Sequence, residues 1–259
     1  MTLSIITITY NNYEELIATC NSLKKISTKF EHVIINGGNC DLSFDFLESY
    51  KQSSNVTVIN EPDEGSYDAF NKGVLCSTGD CISFLNSGDL LNDSTYHGDA
   101  LKLINDGKVD FVHAGILFDD QKYGEYKLHP KKGHNPGKGM PFMHPSMVVK
   151  KDFFQTHGLF NKQFKIAGDF DWACKLWRED YKDVYLIRYP VKMNNRGVSS
   201  QNEALALDEC KNALIQNDLY RGKVKLFFGL RVLKYILRRS LRVFDFFKLG
   251  TFYKKFLAQ

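Results

Sequence analysis

No C-x-x-C pair occurs among the six cysteines of this 259-residue chain. Cys20, Cys40, Cys76, Cys81, Cys174 and Cys210 are scattered, several inside apolar runs. That excludes a zinc ribbon or a disulfide framework and predicts reduced core thiols in a cytosolic protein. No apolar run approaches the roughly 20 residues needed to cross a bilayer. Strand-like sequence, LSIITITY, begins at Leu3 without the basic stretch and apolar core of a secretory signal. Both familiar phosphate fingerprints are missing: there is no G-x-x-x-x-G-K-[ST], and Gly37-Gly38 lacks the third glycine and helix start of a G-x-G-x-x-G turn. Any phosphate bound here has to be neutralised by a metal or by cationic side chains.

Acidic residues are nearly absent from the C-terminal tail. Arg221 to Gln259 holds eleven Lys or Arg against the single acid Asp245, and subtracting these from totals of 34 and 30 leaves 23 bases and 29 acids in the rest. The body is acidic and the tail strongly basic. Leu226, Leu230, Leu233, Leu237, Leu241 and Phe244 recur there at steps of three and four, with Arg231, Lys234, Arg238 and Arg242 on another face. Such a helix either packs on the main domain with its charges solvated or docks on an anionic membrane surface. Aromatic platforms and recognition motifs for nucleic acid are lacking, so no nucleic-acid partner is expected.

The body alternates two periods. Apolar, β-branched runs at Leu3–Tyr10, His32–Asn36, Val56–Asn60, Asp80–Leu85 and Asp110–Ala114 predict strands. Helical patterns fall between them at about Tyr13–Lys25, Leu42–Lys51, Tyr67–Cys76 and Ser94–Ile104. This rhythm predicts an α/β fold with a mainly parallel central sheet flanked by helices. Further on, a strand pair is expected within Ile116–Leu128 and a loop over His129–Pro141. Then come a strand at Ser146–Val149, a helix from Asp169 to Glu179, a strand near Val184–Ile187, a loop at Asn194–Ser200 and a helix from Glu203 to Tyr220.

Polar residues gather just after the predicted strands: Thr9, Tyr10 and Asn11, then Asn36, then Asp63, then Ser87-Gly88-Asp89. In open α/β sheets that edge binds ligands, and four such strand ends form a nucleotide-sized cleft. Asp89 either closes a glycine turn or holds a divalent cation against a phosphate. Asp169, at the start of a predicted helix behind Ala167 and Gly168, is either a cap or a general base, and Asp171 competes for the same assignment. His144, before a proline, is either structural or an acceptor contact. Arg196 either meets phosphate or faces water.

Six segments in order complete a pattern: SIITITYNN at Ser4, INGGNCD at Ile35, EPDEGSYDAFNKG at Glu61, TGDCISFLNSGD at Thr78, HPSMVVKK at His144 and IAGDFDW at Ile166. Over roughly Leu3 to Ser200 the chain resembles the family 2 glycosyltransferases, inverting enzymes of GT-A fold that include bacterial O-antigen, capsule and colanic-acid-type sugar transferases. The resemblance implies a catalytic domain over 1–220, with a nucleotide-sugar half to about 115 and an acceptor half beyond it, followed by a basic amphipathic helical extension at 221–259. It implies that Thr7, Thr9, Tyr10, Asn11, Asn36 and Ser87 border the nucleotide, and that Asp63, Asn71 and Lys72 line the donor side. Asp89 would hold Mn²⁺ or Mg²⁺, Asp169 would be the catalytic base, and His144, Asp171 and Arg196 would face the acceptor.

Two departures stand out. The family commonly has Asp where this chain has Asn36, and Ser87-Gly88-Asp89 carries one acid where two are usual. The resemblance implies transfer of a Gal, GlcNAc or Glc-type sugar from a UDP-sugar to a lipid-linked saccharide at the inner face of the cell membrane, the enzyme sitting there as a peripheral protein, with a homo-oligomer left open. A sugar nucleotidyltransferase, which releases diphosphate, and a non-catalytic saccharide-binding protein are the alternatives.

Overall fold

The computed structural model describes residues 1–38, 41–53, 55–121, 124–131, 136–177, 179–194, 197 and 202–243. Its core is a seven-stranded sheet in the order β10-β6-β9-β4-β1-β2-β3. The strands are β1 (Leu3–Thr9), β2 (Glu31–Asn36), β3 (Val56–Asn60), β4 (Cys81–Phe84), β6 (Phe111–Ala114), β9 (Val148–Lys150) and β10 (Asp183–Leu186). All neighbours run parallel except β9, which is antiparallel to both β4 and β6. The expected α/β architecture is therefore present, with one reversed strand that its short apolar run did not announce.

Helices cover both faces. They are α1 (Tyr13–Leu23), α2 (Asp41–Ser53), α3 (Ser66–Cys76), α4 (Tyr96–Asn105), α5 (Lys151–His157), α6 (Gly168–Leu176), α7 (Glu203–Gln216) and α8 (Lys223–Val243). Period-two alternation divides the strand residues between two cores. Ile6, Ile82 and Phe84 pack with α3, α5 and α6 on one face, while Leu3, Ile5, Cys81 and Val148 pack with α4 on the other. Each fully buried aliphatic of this kind contributes about 1.5–3 kcal/mol. A smaller sheet, β5-β11-β7-β8, is built from β5 (Leu90–Leu91), β7 (Ile116–Asp120), β8 (Gly124–Leu128) and β11 (Val191–Asn194). Both β5 and β11 lie in loop-like sequence and acquire strand form through pairing, β5 with β11 and β11 with both β5 and β7.

Chain order decides where a ligand can enter. From β1 the chain moves outward through β2 and β3, then returns to place β4 on the other side of β1. The crevice of such a sheet lies at that reversal, outside the carboxyl ends of β1 and β4. Tyr10 and the turn 85–89 stand there.

The tail is one helix over its described part, and it has two apolar faces. Val224, Phe228 and Val232 pack on the main core, with Phe228 only 3% exposed. Leu226, Leu230, Leu233 and Leu237, the stripe seen in the sequence, are each more than half exposed. These four therefore face outward, while a second row fastens the helix; the side chain of Leu241 and all of Phe244 lie outside the described residues. Five cysteines are free thiols, and Cys76 is exposed, contrary to the expectation of core placement for all; Cys40 lies outside the described residues.

Candidate active site

Beyond β4 the chain stays beside β1, since Leu85 N–H donates to the carbonyl of Ile6 and Ser87 N–H to that of Ile8. Gly88 then turns at φ +96°, a conformation that favours glycine. Thr19 of α1 holds the turn: its hydroxyl accepts from Gly88 N–H at 3.0 Å and donates to the carbonyl of Asp89 at 2.9 Å. Asp89 is thereby drawn inward to 5% exposure, with Oδ2 buried and lacking any hydrogen-bond partner. Burial, with the Glu15 carboxylate nearby, pushes its carboxyl up to about 7. A buried, unpartnered carboxylate oxygen close to a second acid is what a cation would satisfy.

Glu15 was not apparent from the sequence. In the first turn of α1 it reads as an acid favoured by the helix dipole, yet a Cβ added at Gly88 would lie 2.7 Å from its Oε2. Proximity across two elements is the only signal, and tertiary packing alone supplies it. Among the described residues no cluster of three or more His, Cys, Asp or Glu side chains could hold a metal by itself. Asp89 and Glu15 fit a hard divalent cation whose remaining ligands come from phosphate oxygens or water.

Asp169 is the second residue of α6. Its Oδ1 accepts from Phe170 N–H at 2.8 Å and from the Tyr67 hydroxyl at 3.1 Å. Burial pushes its carboxyl up to about 6, against the lowering effect of those two donors. A carboxyl poised there is ionised at neutral pH and basic enough to accept a proton. Tyr67 is held well above the usual phenol range by burial and by Asp169, so its hydroxyl stays a donor.

His144 sits in a short 3-10 turn, His144–Ser146. Its ring stacks on Phe84 at 4.4 Å and meets Phe70 and Phe160 edge-on at 5.1 and 5.5 Å. Burial pushes it down to about 3, which keeps the imidazole neutral, and its Nε2 has no hydrogen-bond partner.

Asp89, Glu15, Asp169, Tyr67 and His144 all line one cleft of about 670 Å³, together with Thr9, Tyr10, Asp63 and Ser87. That volume suits a nucleotide-sized ligand. Tyr10 is 68% exposed, a free aromatic face at the rim. Lys165 is the single Lys or Arg among the described lining residues, set against four acids. An isolated lysine carries no pattern in the sequence.

Several expected site residues are placed elsewhere. Thr7 is fully buried in the sheet, donating to the carbonyl of Leu85 and bonded to His32, too deep to meet a nucleotide. Asn71 pins the backbone of Phe160 through both its amide groups at 2.9 Å. Lys72 lies at the surface in ion pairs with Glu61 and Asp68. Asp171, one residue pair beyond Asp169, turns the other way and is buried against Asn217 and Lys175, so it does not reach the cleft. Asn11 and Asn36 brace the rim rather than line it: Asn11 (φ 48°) packs on Gly38, and Asn36 donates to Asn60. Arg196 lies outside the described residues.

A second hollow of about 800 Å³ lies at the opposite strand ends. Its buried acid, Glu31, is already bonded to Ser4 and to the backbone of Thr78, so we assign it no chemistry.

A mostly parallel sheet whose switch-point cleft carries an unpaired carboxylate after one strand and a raised carboxyl on a facing helix has the GT-A glycosyltransferase fold. The chain belongs to glycosyl transferase family 2, whose model matches residues 4–184. A glycosyltransferase of PGL/p-HBAD biosynthesis from Mycobacterium bovis is 24% identical over 183 residues, 66% of this chain and 68% of that protein. An uncharacterized glycosyltransferase from Haemophilus influenzae is 26% identical over 202 residues, 73% of this chain and 66% of that one. With an uncharacterized glycosyltransferase of Mycobacterium tuberculosis the match is 35% identical over 90 residues and spans only about a third, 34%, of either chain.

Among solved structures, Staphylococcus aureus TarS 1–349 in complex with UDP-GlcNAc superposes with a TM-score of 0.67 at 16% identity, over 88% of this chain and 70% of that one. The mannosyltransferase PcManGT from Pyrobaculum calidifontis, in complex with GDP-Man and Mn²⁺, gives 0.63 at 13% identity over 95% and 81%. At such identities the likeness is one of fold.

Proposed function

We propose that the chain is an inverting glycosyltransferase that moves a Gal, GlcNAc or Glc-type sugar from a UDP-sugar to a lipid-linked saccharide, in synthesis of a bacterial surface polysaccharide such as O-antigen or capsule. The observation that carries this reading is the pairing, in one cleft, of Asp169 with its raised carboxyl and Asp89 with its unpartnered oxygen.

The reaction needs a departing diphosphate neutralised and an acceptor proton removed. Asp89, with Glu15 beside it, would hold Mn²⁺ or Mg²⁺, which when bound neutralises charge developing on the diphosphate. Lys165 adds a cation of the protein's own. Tyr10 and Thr9 receive the nucleoside at the rim, with Asp63 beside them. Asp169 accepts the proton of the attacking hydroxyl, the Tyr67 hydroxyl fixing the oxygen that does not. His144, neutral and unpartnered at Nε2, offers one hydrogen bond to a sugar hydroxyl.

The tail completes the assignment. Its outward leucines, 226, 230, 233 and 237, lie beside a strongly basic sequence, a combination that suits an anionic lipid surface carrying the acceptor. No helix among the described residues is long and apolar enough to cross a membrane; on the strength of the basic, leucine-striped tail we place the enzyme peripherally, at the inner face. A panel of nucleotide-sugars assayed for metal-dependent release of nucleoside diphosphate tests the reading. Release of inorganic diphosphate instead would mark a nucleotidyltransferase, and binding without turnover a saccharide-binding protein.

A further inference from the structure

The segment that delivers Asp169 to the cleft has no means of holding itself. Residues Lys165 to Ala167 precede α6 as an irregular stretch, and Ala167 at the helix N-cap has no side chain able to accept a hydrogen bond. The first N–H groups of a helix and of its approach need acceptors from somewhere. They find them on a different helix. Glu209, in the middle of α7 and only 8% exposed, accepts from Lys165 N–H at 2.9 Å through Oε1, and from Ile166 and Ala167 N–H at 2.8 and 2.9 Å through Oε2.

The same peptide is gripped from the other side. The Tyr67 hydroxyl, on α3, lies 2.6 Å from the carbonyl oxygen of Ile166 and 3.1 Å from Asp169 Oδ1. Gly168 lets this happen, because a Cβ there would come within 2.7 Å of the Tyr67 ring. Helices α3 and α7, far apart in sequence, thus meet on the peptide of Ile166. The clamped stretch begins with one cleft side chain, Lys165, and lies two residues before another, Asp169.

We propose that Glu209 is a positioning residue for the transfer reaction: by fixing the 165–167 backbone it sets Asp169 against Tyr67 and aims it, with Lys165, into the cleft. Glu209 does not line the cleft. It acts through the geometry of the base, where displacement of about 1 Å can cost 10²-fold in rate. The proposal rests on the reading of Asp169 as base.

Glu209→Gln keeps the size of the side chain but replaces one acceptor oxygen with a donor that opposes a backbone N–H. Hydrogen exchange of the 165–167 amides and steady-state kinetics across pH are measured on the full chain. Expected are amide exchange at least tenfold faster, a kcat at least tenfold lower, a donor KM raised by less than kcat falls, and an acid limb of kcat/KM moved below its midpoint near 6 as Asp169 becomes more solvated. Faster exchange with kcat and the pH limb unchanged would overturn the positioning role, and unchanged exchange would overturn the clamp itself. Should Glu209→Gln not fold, Glu209→Asp keeps both acceptor oxygens but draws them back from the 165–167 amides by one methylene; it is expected to give the same signature in smaller measure, and faster exchange with parental kcat and pH limb would overturn the positioning role. Failure of the underlying reading looks different: Asp169→Asn would then keep parental kcat whatever Glu209 does.

Discussion

The carboxylate of Asp63 fills the space that a side chain at Gly37 would enter; a Cβ built at that position overlaps Oδ2. This contact locks the loop after β3 against the end of β2, at the rim where the nucleoside is proposed to sit. Gly37→Ala is expected to displace Asp63 and weaken UDP binding about tenfold, within the 1–3 kcal/mol typical of overpacking. Calorimetric titration with UDP checks it, and the melting temperature shows whether the loss is confined to the rim.

Asp169→Asn is expected to lower kcat by 10²-fold or more, in the range usual for loss of a general base, while leaving donor binding within a few-fold. In the parent, kcat/KM falls below a midpoint near 6, because protonation of Asp169 removes the base. A pH–rate profile of parent and variant checks both. A variant as active as the parent would remove Asp169 from the mechanism.

Asp89 makes cation binding pH-dependent in a defined sense. Its carboxyl is raised to about 7, so protons compete with the metal below that value. Mn²⁺ affinity, with UDP present, is expected to weaken as pH falls from 8 to 6 and to be lost in Asp89→Asn. Folding stability runs the opposite way. A carboxyl that titrates higher in the folded state binds its proton more tightly there, so stability falls as pH rises from about 4 through 7. Without metal, Asp89→Asn should melt several degrees above the parent at pH 8 and no higher at pH 4, each kcal/mol being worth about 2–4 °C in a chain of this size. Thermal melts at the two pH values check it.

The two faces of α8 separate membrane binding from stability. Leu230→Glu with Leu237→Glu places charges on side chains that are 53% exposed, and is expected to abolish co-sedimentation with vesicles rich in anionic lipid while leaving the melting temperature within about two degrees. Phe228→Ala, on the inward face at 3% exposure, is expected to destabilise by about 3–5 kcal/mol. Retained vesicle binding by the double Glu variant would assign the outward stripe to another partner.

Much of this molecule is legible in one dimension where a short-range rule applies. Strands β1 to β4 announce themselves by β-branched runs, and the turn after β4 by Ser87-Gly88-Asp89, because alternation and glycine turns are local. The reversal of β9 is not local. Val148–Lys150 is a short apolar strand whose direction depends on fitting between β4 and β6. Helix α5 directly follows it, and at seven residues, about two turns, it is too short to show a helical period. The second sheet is half legible, since the β7–β8 hairpin carries an alternating pattern, whereas β5 and β11 become strands only by non-local pairing, β11 with both β5 and β7.

The amino-acid order by itself determined the α/β rhythm, the family pattern, the basic tail, and the candidacy of Asp89 and Asp169, since each depends on residue type and spacing along the chain. Tertiary structure alone decided which candidates share a space. It brought Glu15 to Asp89, put Tyr67 on Asp169 and set Lys165 in the cleft. It withdrew Thr7, Asn71, Lys72 and Asp171 into structural roles. The physical reason is that a polar side chain takes its role from its partners and its solvation. Both are set by segments as distant as α1 from β4 and α7 from α6, and no local spacing encodes them.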